Sequence, residues 1–287
     1  MIGVSSWGGA VTVTGASDRL GLGWLLAQAL RFARIRWVEL LGIFVCIDWA
    51  PRVILVISGV GRYTLGSHDE GAFLASAIQS GVLVFCSSLA FASVVAVGLG
   101  GSRQPVSPPA AITQVLQRLP ALAPWWLASA VPNAVSVWLR WSVGSAAEMR
   151  ATYYWREFGG AAYGIALDCA LGLFSLVVLA EGLGGLAALK RTLSLMAGRR
   201  GVVFIVAFAT GAVGLVINLA TPYLAELAVS LGLGRDYQAT YYPAYFTIAF
   251  LWEATAVVAN LVYVQLYLEL ARARDGVAPG ELHEVFA

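Results

Sequence analysis

Four ionisable residues stand out well inside long apolar stretches of this chain: Asp48, Arg52, Asp168 and Glu253. If these stretches cross a membrane, such groups are costly, and they are usually kept for a function or paired with one another. Asp48 and Arg52 are four residues apart, so on a helix they can neutralise each other. Counted from the outer ends of their spans, Asp168 and Glu253 reach a depth similar to that of Arg52. We therefore expect one guanidinium to face three carboxyl groups in a buried cluster, with any excess carboxylate protonated.

Two interpretations of this cluster remain open. In the first, it is a proton or cation site in a polar cavity between helices, as a small transporter would need. In the second, it is an ion-pair network that fixes the register of the helices, and Pro51 loosens the backbone beside it. The two are distinguished by whether the side chains line a water-accessible cavity or close on one another.

The composition predicts an integral membrane protein. The chain has 287 residues, of which 59% are hydrophobic and only 12% are charged. A soluble domain cannot cover its surface with so few polar residues, whereas a chain whose surface faces lipid can. Six apolar stretches approach or exceed the length of about 20 residues that crosses a bilayer. They cover about residues 37–59, 72–100, 125–141, 161–180, 202–224 and 244–268.

The distribution of charge predicts an orientation. Lys and Arg are concentrated in the N-terminal segment, in the second and fourth connections between spans, and in the C-terminal segment. By the positive-inside rule these segments face the cytoplasm, so both termini are cytoplasmic in a bacterial inner membrane. We expect an N-terminal tail at residues 1–17, one transmembrane domain at 18–270 and a cytoplasmic tail at 271–287. The uncharged N-terminus lacks the features of a signal peptide, so we expect it to be retained.

A short pattern before three of the spans indicates an internal repeat. The letters QALR at 28–31, QVLQ at 114–117 and AALK at 187–190 each fall in a short amphipathic segment that precedes a predicted span. Their spacing suits a unit of one surface helix followed by two spans. The fold class is therefore expected to be all-α, with six transmembrane helices in three hairpins. Each hairpin is preceded by a helix lying on the cytoplasmic face.

Basic residues in and beside the first and third of these helices are candidates for binding lipid headgroups. Anionic lipids attract such side chains by about 1 kcal/mol per residue. The same residues would also serve simply as topology anchors. The candidates are Arg31, Arg34, Arg36, Lys190, Arg191, Arg199 and Arg200.

The segment AEGLGGLAALKRTLSLMAGRR, residues 180–200, resembles the signature of the bacterial membrane proteins grouped with the membrane domain of glycerophosphoryl diester phosphodiesterases. The matching features are Glu181-Gly182 at the end of the fourth span, ALKRT at 188–192, and Gly198-Arg199. The closing segment YLELARARDGV at 267–277 is similar to that family's C-terminal segment, with Ala271 where an Arg is more usual. The resemblance implies the six-span layout and no particular activity. Many residues of the phosphodiesterase catalytic domain found in some relatives are missing here.

No arrangement of residues predicts an enzyme. The two histidines, His68 and His283, lie outside the predicted spans, so we expect no histidine inside the membrane. No spacing typical of metal ligands occurs, so we expect no metal and no cofactor. The net charge of +2 gives no reason to expect nucleic acid as a partner.

The expected function is a non-enzymatic scaffold or accessory subunit that engages membrane lipids or another membrane protein. The alternative is a small transporter or channel-like protein that uses Asp48, Arg52, Asp168 and Glu253. A weaker third possibility is a role in lipid modification through a separate soluble enzyme.

Overall fold

The fold is taken from a computed structural model, which describes residues 21–57, 70–100, 106–142, 158–230 and 237–276. Within these ranges every regular element is helical and no strand occurs, which confirms the predicted all-α class for the described residues. The predicted N-terminal tail and residues 277–287 of the predicted C-terminal tail lie outside the described residues.

The helices follow one another with short connections. They are α1 (Leu22–Ile35), α2 (Trp37–Phe44), a π-helical turn (Val45–Trp49), α3 (Ala50–Ile57), α4 (Glu70–Gly100), α5 (Pro108–Gln117), α6 (Leu119–Ser142), α7 (Gly160–Leu171), α8 (Phe174–Glu181), α9 (Gly185–Met196), α10 (Arg200–Ser230) and α11 (Tyr237–Asp275).

Four of the described helical stretches are long and apolar enough to cross a membrane. They are Phe73–Gly100, Gly160–Glu181, Arg200–Ile217 and Glu253–Asp275. The first and third predicted spans are helical as well, but α2 and α3 are separated by the π-turn, and α6 contains Pro124 and Pro132. The described part of the chain therefore has the helices of a multi-pass membrane protein, and the count of six spans stays a prediction.

The last helix continues into the segment that was expected to be a tail. It ends at Asp275, and the side chains of Leu270 and Ala271 are buried. Together with Leu266 and Tyr267 they continue the helical spacing of buried residues along α11. Packing of this face carries the helix beyond the drop in hydropathy, and the helix ends where Gly276 adopts a left-handed conformation with a φ of +71°.

Consecutive helices pack against each other in three groups. The segment from α2 through α3 packs against α4, α6 packs against α7 and α8, and α10 packs against α11. The groups also contact one another, since α4 packs against α6 and α11. Small residues bring these helices close together: a Cβ at Gly98 of α4 would lie 3.1 Å from Val264 Cγ2 of α11.

Three short helices, α1, α5 and α9, each directly precede one of these groups in the chain. The second residue of each repeated pattern, Ala29, Val115 or Ala188, is fully buried against its neighbours. The fourth residue of each pattern is exposed; these residues are Arg31, Gln117 and Lys190. The second and fourth positions of the pattern therefore have the same burial in all three copies, as expected of a repeated structural unit.

Candidate functional site

A widened helical turn places Asp48 in the interior. In the π-turn the N–H of Ala50 bonds to the carbonyl of Val45, five residues earlier. Pro51 gives the physical reason, because it has no N–H and its ring crowds the carbonyl four residues before it. The carboxylate of Asp48 is fully buried. π-turns inside α-helices are frequent at functional sites, so this turn marks the site for closer inspection.

Arg52 bridges two buried carboxylates. Its Nη2 donates to Glu253 Oε1 at 2.8 Å and lies 3.3 Å and 3.4 Å from the two carboxylate oxygens of Asp48. The hydroxyl of Ser87 donates to Asp48 Oδ1, and its oxygen is 3.4 Å from Arg52 Nη2. Glu253 is only 2% exposed. We call Asp48, Arg52, Ser87 and Glu253 the Arg52 cluster.

The Arg52 cluster joins three elements of the bundle. Asp48 and Arg52 come from the π-turn and α3, Ser87 from α4 and Glu253 from α11. The side chains close on one another instead of facing outward, since the side chain of Arg52 is 19% exposed and that of Asp48 is not exposed at all. This geometry holds three helices in a fixed register, as expected of an ion-pair network.

Asp168 lies apart from the Arg52 cluster, although the sequence predicted a cluster of four. Its Oδ2 accepts a hydrogen bond from the hydroxyl of Tyr263 at 3.1 Å. Tyr263 follows Glu253 by ten residues on α11, which corresponds to about 15 Å along a helix. Counting residues from the outer end of the span therefore misjudged the depth of Asp168, which lies level with Tyr263 and not with Glu253. The carboxylate of Asp168 lines a separate cavity.

A second polar network surrounds Arg191 at the start of the third group of helices. Its Nε donates to both carboxylate oxygens of Glu181, at 3.0 Å and 2.9 Å, and its two Nη atoms donate to Asp275. The buried hydroxyl of Tyr267 donates to Glu181 Oε1 at 2.9 Å. The sequence analysis did not predict the contacts that Asp275 and Tyr267 make in this network.

The charge of Arg191 is secured by these contacts. Its hydrogen bond with Asp275 raises the pKa of Arg191 above the ordinary value for a guanidinium. Burial acts in the opposite direction, and the hydrogen bond and charge of Glu181 add to the rise. The guanidinium therefore remains a cation that ties α8, α9 and α11 together.

The glycine-rich break between α8 and α9 also has a structural role. Gly182 has a φ of +69°, a conformation that side chains other than glycine rarely adopt. Its carbonyl accepts a hydrogen bond from Arg118 Nη1 at 3.0 Å. A Cβ at Gly182 would lie 3.0 Å from the other terminal nitrogen of Arg118. The signature segment thus ends α8 by a left-handed turn that Arg118 holds in place.

The predicted lipid-facing cations divide into two kinds. Arg31, Arg34, Lys190 and Arg200 are exposed. Arg199 is half-buried, and Arg191 belongs to the network with Glu181. Arg36 is buried, where its Nη2 donates to the carbonyl of Val106 at 2.9 Å and its guanidinium pairs with Glu39. Four of the seven candidates are therefore free to meet another molecule, and at least two connect parts of the fold.

Exposed apolar side chains lie next to the exposed cations of α1. Ile35, Trp37 and Val38 are 77%, 59% and 61% exposed, directly after Arg31 and Arg34. A basic surface beside exposed Trp and aliphatic side chains is typical of a segment at the boundary of headgroups and hydrocarbon.

Metal binding finds no support in the described segments, where no three His, Cys, Asp or Glu side chains group together as a metal site requires. Comparison of the chain with models of protein families, with curated proteins and with solved structures finds no match.

Proposed function

We propose that the protein is a non-enzymatic, six-span protein of the bacterial inner membrane with both termini in the cytoplasm. It acts as a scaffold or accessory subunit that engages lipid, or a partner membrane protein, through its lateral surface and its cytoplasmic helices. The observation that carries the proposal is the closed geometry of the Arg52 cluster, in which Arg52 lies 2.8 Å from Glu253 and bridges to Asp48.

The closed cluster favours a structural role over a pathway for ions. A transport site must be reached by water or solute from at least one side of the membrane. Asp48 and Glu253 are almost completely buried, and their shared guanidinium occupies the space between them. The cluster therefore acts as a clamp between α3, α4 and α11.

The lengths of the remaining helices support two further spans. Residues 37–57 are helical throughout, and 21 helical residues rise by about 31 Å, close to the thickness of ~30 Å for the hydrocarbon core. Helix α6 has 24 residues, which rise by about 36 Å. If residues 37–57 and helix α6 are counted as spans, each of the three packed groups supplies one hairpin.

The exposed cations support contact with anionic lipid or an acidic partner on the cytoplasmic face. Arg31 and Arg34 of α1 and Lys190 of α9 occupy equivalent faces of two repeats, and Arg200 begins α10. Each exposed cation close to an anionic surface contributes about 1 kcal/mol, so four together give strong and salt-sensitive attraction.

The proposal is tested by replacing the whole cluster with apolar residues. The variant Asp48→Leu/Arg52→Leu/Glu253→Leu removes every charge of the clamp, and such replacements of buried ion pairs are often neutral for stability. We expect it to fold and to retain the lipids and proteins that co-purify with the wild type. In proteoliposomes, neither protein should dissipate a proton or sodium gradient. A gradient that the wild type dissipates and the variant maintains would refute the scaffold proposal.

One observation favours the second candidate, a small transporter. Two carboxyl groups and one guanidinium carry a charge of −1 when both carboxyls are ionised and 0 when they share one proton. Glu253 Oε2 is buried and has no hydrogen-bond partner among the described residues. The π-turn beside Pro51 offers a backbone that can change its helical register. This candidate requires flux that depends on Glu253, which the same proteoliposome measurement detects.

A further inference from the structure

A cavity of about 660 Å³ lies between α7, α8, α10 and α11, away from the Arg52 cluster. This volume falls within the range of about 300–1,000 Å³ that is usual for small-molecule sites. Leu26 and Val213 belong to its lining and are 40% and 46% exposed, so the cavity reaches the outer surface of the bundle. A molecule in the surrounding hydrocarbon therefore has a lateral way in.

The lining is apolar for the most part and has a polar spot around Asp168. The apolar part of the lining combines small residues, such as Gly164 and Ala259, with larger ones, such as Leu176 and Ile165. The polar members of the described lining are Asp168, Ser175, Thr210, Thr255, Asn260 and Tyr263. An apolar chamber with a few polar groups suits an amphiphile with a long apolar part and a small polar end.

The hydrogen bonds already made in the cavity leave acceptors rather than donors beside Asp168. The hydroxyl of Tyr263 donates a hydrogen bond to Asp168 Oδ2 at 3.1 Å. The hydroxyl of Thr210 donates to the backbone carbonyls of Val206 and Ala207, at 3.0 Å and 3.1 Å. Among the described residues no side chain donates a hydrogen bond to the other carboxylate oxygen, Asp168 Oδ1. The free position at this spot therefore calls for a ligand that donates one hydrogen bond.

The charge of the lining excludes the common anionic headgroups. No Lys, Arg or His is present among the described lining residues, and Asp168 is itself acidic. A phosphate or a fatty-acid carboxylate would be buried without a cation and would face a carboxylate, which is strongly unfavourable. An ammonium group would neutralise Asp168, but it brings three donors and would need two further acceptors from the hydroxyl and amide oxygens of the lining, whereas an alcohol needs only Asp168 Oδ1.

We propose that this cavity binds an uncharged lipid alcohol, whose hydroxyl donates to Asp168 Oδ1 and whose hydrocarbon chain fills the apolar walls formed by α7, α10 and α11. Tyr263 positions the carboxylate for this contact through its own hydrogen bond. The inference goes beyond the proposed function, which places lipid at the basic outer surface of the helices and needs no ligand inside the bundle.

The test uses photoreactive probes on the purified full-length protein in mild detergent. Three probes share one diazirine-bearing alkyl chain and end in a hydroxyl, a carboxylate or an ammonium group. We expect the alcohol to label residues 160–176, 206–215 and 255–263 about tenfold more than the carboxylate does, the ratio that one hydrogen bond to a charged group supplies. Unlabelled alcohol should compete. Equal labelling by the carboxylate, stronger labelling by the ammonium, or labelling spread evenly over the outer surface would overturn the proposal.

Two glycine variants provide a matched pair for the same measurement. Gly164 lines the cavity, and a Cβ there would meet no atom within 4 Å, so Gly164→Phe puts a ring into free space. Gly81 of α4 also has no atom within 4 Å of a Cβ and is not among the lining residues, so Gly81→Phe is the control. Gly164→Phe should lose the labelling by the alcohol while Gly81→Phe keeps it. If Gly164→Phe does not fold, Asp168→Asn, which preserves the side-chain shape, should reduce the preference for the alcohol about tenfold.

Equal labelling of Gly164→Phe, Gly81→Phe and the wild type would place the probe outside the cavity and refute the inference. The ion fluxes and co-purification that test the scaffold role do not involve the glycine variants. The two proposals can therefore fail separately.

Discussion

Replacing Arg52 by Leu should destabilise the protein more than replacing any of the exposed arginines. The change leaves two carboxylates without their cation in places where Asp48 is not exposed at all and Glu253 is 2% exposed. Arg52→Leu removes the contacts at 2.8 Å to Glu253 and at 3.3 Å to Asp48 together. Removing one partner of a buried ion pair costs about 3–5 kcal/mol, because the charge that remains is uncompensated.

The assay is thermal unfolding of the purified protein in a mild detergent, followed by size-exclusion chromatography with fluorescence detection. For a chain of this size, a loss of about 3–5 kcal/mol lowers the melting temperature by roughly 6–20 °C. Arg34→Leu is the matched control, since Arg34 is exposed and the change should stay within about 0.5 kcal/mol. The triple leucine variant of Asp48, Arg52 and Glu253 should melt close to the wild type.

This pattern depends on the cluster acting as a unit. If Arg52→Leu melts at the temperature of the wild type, the carboxylates are not held by the guanidinium and the clamp does not exist. If the triple leucine variant is less stable than Arg52→Leu, the apolar side chains do not fit the space, and the argument from uncompensated charge fails.

Three further changes test other parts of the fold. Tyr267→Phe removes the hydrogen bond of 2.9 Å to Glu181 and should cost about 1.5–3 kcal/mol in the same melting assay, because the acceptor is a charged group in the interior. Gly211→Leu should cost about 1–3 kcal/mol by overpacking, since a Cβ at this position would lie 2.6 Å from Ile165 Cγ1. Gly201→Leu on the same helix is the control and should be tolerated, because a Cβ at Gly201 would have no atom within 4 Å. A reporter fused after the last residue of the chain should be active in the cytoplasm and inactive in the periplasm.

Each of these changes has an outcome that contradicts its reasoning. Tyr223 is 66% exposed, so a loss for Tyr223→Phe as large as for Tyr267→Phe would mean that the hydroxyl bond is not the cause. Equal melting of the two glycine variants would show that α7 and α10 do not approach as closely as described. A periplasmic signal from the C-terminal reporter would rule out six spans with cytoplasmic termini.

The sequence anticipates contacts within one helical turn directly and contacts between distant helices only in part. Asp48 and Arg52 are recognisable as a pair because they are four residues apart in an apolar stretch. Glu253 is 201 residues from Arg52; counting depth along the spans predicted that the two residues meet, and the structure shows the contact. Ser87 carries no signal of its own, since serine in a membrane helix is more often a small packing residue.

Depth in the bundle also depends on local geometry that hydropathy does not encode. Counting residues placed Asp168 with the cluster, but its carboxylate bonds to Tyr263, which lies ten residues beyond Glu253 on α11. Arg36 and Arg191 were expected at the surface because they are charged and lie in or beside amphipathic segments. In the structure each makes contacts that join distant parts of the fold. Whether an arginine faces lipid or connects parts of the fold depends on distant acceptors, such as the carbonyl of Val106 and the carboxylate of Asp275.

The repeated pattern is the part of the architecture that the sequence describes best. Its second residue is buried in all three copies because the amphipathic spacing places it on the inner face of a short helix. The pattern cannot tell what occupies the outer face, where the exposed cations of the first and third copies lie. The partner of that face is the central open question for function.

The most direct test of the scaffold proposal is quantitative co-purification of the full-length tagged protein from its native membrane in mild detergent. Mass spectrometry would measure both the proteins and the lipids retained. The proposal predicts anionic lipid or a partner protein at a fixed ratio, kept by the triple leucine variant and lost when Arg31, Arg34, Lys190 and Arg200 are changed to glutamine. A preparation without either companion, together with ion flux in proteoliposomes that depends on Arg52, would contradict it and establish transport instead.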